Sequence, residues 1–184
     1  MDKVAVFIDN GYFKKVQDRM GLKVNYEKFS DEVVGNAYSR FRTYVYDCPP
    51  FQSNPPTDEE IKRKSGFDAF KHNIERLSRF EFRTGRLQQV RNENGEVIKR
   101  TDGTPMLKQK GVDMSLGIDV AKLSATRQIQ KVILVAGDSD FIPAIGIAKQ
   151  EGVLVTLYYS PEGYIHDSLY VICDDRAEIT KELG

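Results

Sequence analysis

The chain has 184 residues, 40% hydrophobic and 29% charged, which suits one globular domain over 1–184 with a core that needs neither disulfides nor a structural metal. Lys+Arg 27 against Asp+Glu 27 gives a net charge of zero and excludes a basic tail that grips nucleic acid by charge alone. Two cysteines, Cys48 and Cys173, and two histidines, His72 and His166, exclude a Cys/His zinc site and a secreted disulfide scaffold, so the chemistry is sought among carboxylates.

The opening apolar run, Val4–Ile8, is too short for the core of a signal peptide and is closed by Asp9. No run approaches the roughly 20 apolar residues of a membrane span. The expected compartment is the cytoplasm, with no membrane partner. Runs at Val4–Ile8, Phe41–Tyr46, Val132–Ala136 and Val153–Tyr158 read as strands buried on both faces. Helices are predicted at Tyr12–Met20, Tyr26–Tyr38, Asp58–Phe80, Asp113–Ala125 and Phe141–Gln150. Alternating strands and helices predict an α/β fold with helices on both faces of a mostly parallel sheet. The segment from Val132 to Tyr158 is its clearest βαβ unit, and Gly152 stands where a helix C-terminus takes a residue of positive φ.

Two segments break this rhythm. CPPFQSNPPT, from Cys48 to Thr57, is too rich in proline for a helix or central strand and reads as a loop. Between Phe82 and Lys110, Asn94-Gly95 is a two-residue hairpin signal, so a protruding β-ribbon is predicted. The loop and ribbon together make an insertion around 48–110.

Carboxylates recur where strands end or helices begin: Asp9, Asp113, and Asp138 with Asp140. Ligands of open α/β sheets bind beyond the carboxyl ends of the strands. An Asp in such a turn is often only a helix cap, but DNGYF and GDSDF carry more polar groups than one cap uses. Carboxylates that converge repel one another unless a cation lies among them, and an all-oxygen set suits Mg²⁺ or Mn²⁺.

FIDNGYF at Phe7–Phe13, KGVDMSLGID at Lys110–Asp119 and AGDSDFIPAI at Ala136–Ile145 resemble, in order, three signature segments of the NYN domain, in its LabA-like branch, a relative of the PIN nucleases. The resemblance spans Val4 to about Tyr158. It implies a three-layer α/β/α Rossmann-like (PIN-like) sandwich with an inserted β-hairpin, and a metal-dependent endoribonuclease that hydrolyses single-stranded or structured RNA with a metal-activated water. It also implies that Asp9, Asp113, Asp138 and Asp140 form the acidic cluster for Mg²⁺ or Mn²⁺, with Asn10 orienting a water or phosphate oxygen. Ser139 stands at the pocket edge. Asp119 lies there too or is a structural hydrogen-bonding group; six helical positions separate it from Asp113, so the two do not share a face.

The segment from Arg79 to Lys110 holds eight Lys or Arg against four acids by count, which makes it the candidate RNA path. Lys110, Arg91, Lys99 and Arg100 are its candidate contacts, and the competing reading is a solvated hairpin. Cys173 reads as a small buried residue and His166 as a surface or packing residue. A phosphohydrolase resembling the haloacid dehalogenase family is the alternative enzyme, but Gly11 and Ile142 stand where its motifs need acids. A non-catalytic RNA-binding protein is the alternative outside enzymes. Oligomeric state is not encoded in any of these motifs.

Overall fold

The computed structural model describes residues 1–183. The first strand, β1 (Lys3–Asp9), is the axis of the molecule: Val4, Ala5, Val6, Phe7 and Ile8 are all fully buried, because a strand with helices on both faces has no solvent side. The chain continues through α1 (Asn10–Met20), α2 (Tyr26–Val34), β2 (Ser39–Asp47), α3 (Asp58–Glu75) and β3 (Phe80–Thr84). After the ribbon strands β4 (Arg86–Gln89) and β5 (Leu107–Lys110) come α4 (Val112–Ala125), β6 (Lys131–Val135), a short 3-10 turn at Ser139–Phe141 and α5 (Ile142–Gln150). The chain then runs through β7 (Leu154–Tyr159), α6 (Asp167–Ile172) and β8 (Asp175–Glu178).

Six strands form one sheet in the order β3-β2-β1-β6-β7-β8, with every pairing parallel. Successive crossovers run outward from β1 through β2 to β3, then return to the other side of β1 and run outward again from β6. The junction of β1 and β6 is thus the point where strand order reverses and a crevice opens beyond the strand ends.

Alternation along the strands divides the core. Ala5 and Phe7 of β1 and Leu134 of β6 pack with Leu116 of α4 and Ile145 of α5. Val6 and Ile8 pack instead with Phe13 of α1, Phe29 of α2 and Phe67 of α3. These are the two outer layers of an α/β/α sandwich, so the expected fold class holds.

The differences from the sequence reading are local. Helix α2 stops at Val34 rather than Tyr38, because Gly35 takes φ 64° and leaves the helix. Helix α3 stops at Glu75; Phe80 and Phe82, counted with the helix end and the ribbon, belong to β3 and are buried against α3. Strand β8, with the sequence DRAE, carries no apolar run because it is a sheet edge. Gly152 has φ 76° and donates to Lys149 O at 3.0 Å, as its position predicts.

The ribbon stem pairs β4 with β5 in antiparallel register, from Arg86 opposite Lys110 to Gln89 opposite Leu107. The Asn94-Gly95 signal closes only the first of two turns at the tip: Gly95 N–H donates to Asn92 O at 2.9 Å, and Gly103 N–H to Arg100 O at 3.0 Å. Val90, Ile98 and Met106 tie the tip together by backbone hydrogen bonds.

Candidate active site

Asp9 ends β1 and caps α1, its Oδ1 accepting from Tyr12 N–H at 3.2 Å. Asp138 follows β6 in the same way and caps the 3-10 turn, its Oδ1 accepting from Asp140 N–H at 3.3 Å. Capping and lining coexist here, since each cap uses one carboxylate oxygen. Asp113 sits in the first turn of α4, where the helix dipole favours an anion. Asp9, Asp113 and Asp138 line one cavity of about 380 Å³ at the β1/β6 junction.

The electrostatics of this cavity are those of crowded carboxylates. Burial pushes the Asp9 carboxyl up to about 6 against the pull of Tyr12 N–H, and the charges of Asp113 and Asp47 add to the rise. Asp113 is raised by burial and then by Asp138 and Asp140, with Lys108 opposing. Asp140 and Ser139 line a neighbouring, mostly apolar groove that shares Asp113 with the cavity. The structure thus brings Asp9, Asp113 and Asp138 together and sets Asp140 one step outside.

The other predicted residues are placed differently. Asn10 is fully buried and faces the core: its amide nitrogen donates to Asp47 Oδ2 at 2.6 Å and its oxygen accepts from Tyr26 O–H at 2.5 Å. Asp119 accepts from Tyr46 O–H at 2.7 Å and from Arg83 Nε at 3.2 Å, outside the cavity lining. Arg91, Lys99, Arg100 and Lys110 lie on the ribbon, also outside that lining. The ribbon cation that acts on Asp113 is Lys108. Cys173 is buried, and burial raises its thiol to about 11.

Sequence reasoning missed two features. Asp47 ends β2 as Asp9 ends β1, is buried, and accepts from Lys14 Nζ at 2.8 Å as well as from Asn10. The same strand-end signal that marked Asp9 marks it. The second is the cationic wall of the cavity, Lys15 and Arg19. Gly11, Tyr12, Lys15, Val16 and Arg19 recur at helical spacing and so form one face of α1.

The donor chemistry fits a hard divalent cation: all-oxygen, anionic and partly desolvated. Among the described residues no three His, Cys, Asp or Glu side chains are grouped as a ready-made metal cage. Such oxygen donors would leave water or phosphate oxygens to complete the coordination of a small cation such as Mg²⁺.

A parallel sheet of this order, with carboxylates at its switch point, defines a PIN-like α/β domain. The chain belongs to the NYN domain family, which matches residues 3–179. This family is of the nuclease type, and its match carries a nuclease and RNA-related role for the chain. No curated protein matches the chain. A crystal structure of a protein of unknown function from Vibrio parahaemolyticus has the same fold, with a TM-score of 0.62 and 19% identity over 98% of this chain and 94% of that one. No helix among the described residues is long and apolar enough to cross a membrane.

Proposed function

We propose that this NYN domain is an endoribonuclease of the LabA-like branch, dependent on Mg²⁺ or Mn²⁺, and that residues 1–184 act as one domain with the segment around 48–110 as an insertion. The observation that carries the reading is the meeting of Asp9, Asp113 and Asp138 in one cavity at the strand-order reversal. A bound divalent cation supplies charge neutralisation, polarisation of a phosphoryl oxygen and a lowered pKa for water. Asp9, Asp113 and Asp138 hold that cation. Asp140, across the shared groove from Asp113, orients the attacking water. Asn10 acts indirectly, by fixing the buried Asp47 carboxylate whose charge bears on Asp9. Arg91, Lys99, Arg100 and Lys110 serve as outer contacts for longer RNA.

The test is cleavage of single-stranded RNA by the purified protein with Mn²⁺. A water nucleophile leaves 5′-phosphate and 3′-hydroxyl ends, and Asp138→Asn is expected to lower the rate by at least about 100-fold. Cyclic 2′,3′-phosphate ends, or an unchanged rate in Asp138→Asn, overturn the assignment. A trapped aspartyl-phosphate transfers it to the phosphohydrolase alternative.

A further inference from the structure

We infer that α1 carries the inner nucleotide track of this site: Lys15 and Arg19 take the backbone phosphates next to the scissile one, and Tyr164 stacks on the base between them. This rests on the ribonuclease reading above and names how that site holds its single-stranded substrate. The track shares one cavity with the acids, whereas none of the four ribbon cations named above lines it.

The geometry follows from helix periodicity. Lys15 and Arg19 are four residues apart on the cavity face of α1, a rise of about 6 Å, and Asp9 stands at the start of the same helix. A chain that enters over Arg19 therefore passes Lys15 before it reaches the carboxylates. Both side chains are exposed; Arg19 gives Nη1 to Glu162 O and keeps further guanidinium N–H donors for phosphate oxygens, for which Arg has a planar fork and Lys a point charge. The acids repel a phosphate diester, and the two cations lining the same cavity offset that repulsion.

Tyr164 lines this cavity and is 68% exposed, which leaves it accessible to a base. Its loop is held by contacts that leave little freedom. Arg19 Nη1 donates to Glu162 O at 2.5 Å, Tyr12 O–H accepts from Ser160 N–H at 3.2 Å, and His166 N–H donates to Gly137 O at 2.9 Å. Gly163 packs so closely on α1 that a Cβ there would lie 3.0 Å from Tyr12 Oη and 3.1 Å from Val16 Cγ2. A loop anchored in advance adds little entropy cost when RNA binds against it.

The experiment measures binding of a short single-stranded RNA oligonucleotide in Ca²⁺ across a range of salt, by fluorescence anisotropy. Lys15→Ala/Arg19→Ala is expected to weaken affinity at least about 10-fold and to reduce the salt-dependence slope by about 1.4, the value for two lost phosphate contacts on a single strand. Arg19→Lys restores the slope. Tyr164→Ala weakens affinity by about 5- to 150-fold with the slope unchanged, as loss of one stacked base requires, and Tyr164→Phe binds as wild type. Equal affinity and slope in the Lys15/Arg19 and Tyr164 variants of a protein that cleaves RNA overturn the track and leave the ribonuclease reading intact. A wild-type protein that neither binds nor cleaves RNA overturns both.

Discussion

Asn10 donates its side-chain amide to Asp47 across 2.6 Å of buried space, joining the first turn of α1 to the end of β2 directly beside Asp9. The residue after the first acid thus faces the core, and its work is to satisfy a carboxylate that lies beside the site. Asn10→Ala leaves Asp47 without one donor and Tyr26 O–H without its acceptor. We expect a loss of about 2 kcal/mol in unfolding free energy, since a buried polar group without its partner costs about 1–3 kcal/mol. Urea denaturation measures it, and a loss below about 0.5 kcal/mol removes the structural role assigned to Asn10.

The second prediction concerns pH in the presence of a chelator. Asp9 has its pKa raised from 3.8 to about 6, so between these values the folded state binds the proton and the unfolded state does not. Stability therefore falls as pH rises through this window, and the penalty is fully present above pH 6. Asp9→Asn retains a cap acceptor and removes the charge. It is expected to stabilise the protein at pH 7.5 by on the order of 2 kcal/mol and to have little effect near pH 4. Paired thermal melts at the two pH values decide it; a variant that is equally destabilised at both contradicts the assigned burial penalty.

Under the proposed function, divalent cations are expected to reverse that penalty in the wild type. Mn²⁺ at a concentration about 100 times its Kd should add about 2.7 kcal/mol of stability by mass action, read as a rise in Tm. The rise should vanish in Asp9→Asn/Asp138→Asn and survive in Asp119→Asn, because Asp119 is engaged by Tyr46 and Arg83 outside the cavity. An equal rise in the double variant places the cation elsewhere.

Two glycines should respond in opposite directions. A Cβ at Gly137 would lie 2.7 Å from the Tyr12 ring and press on Tyr164 O, so Gly137→Ala must displace the loop that borders the acids. We expect a loss of about 1–3 kcal/mol, as for other overpacked sites, together with RNA cleavage reduced at least about 10-fold. Gly146, inside α5, has nothing within 4 Å of its Cβ position. Gly146→Ala should stabilise by about 0.5–1 kcal/mol through helix propensity, with cleavage unchanged. Differential scanning calorimetry and a cleavage time course on both variants check the contrast.

The pattern of apolar runs marked four of the six strands of the central sheet, β1, β2, β6 and β7, because strands covered on both faces are rich in apolar residues. It also placed Asp9 and Asp138 at strand ends and Asp113 at a helix start, since caps and turns are written locally. Order among the strands is a long-range property. That β6 returns to the far side of β1, and so brings Asp138 to the cavity of Asp9, is decided only by packing. Packing also turned Asn10 inward, gave Asp119 to Tyr46 and Arg83, and left Lys108 as the ribbon cation that acts on Asp113. Edge strand β8 escaped notice because an edge needs little apolar surface. The spacing of Lys15 and Arg19 was visible in the chain, but a helix has several faces, and only the tertiary structure decides which of them a cavity meets.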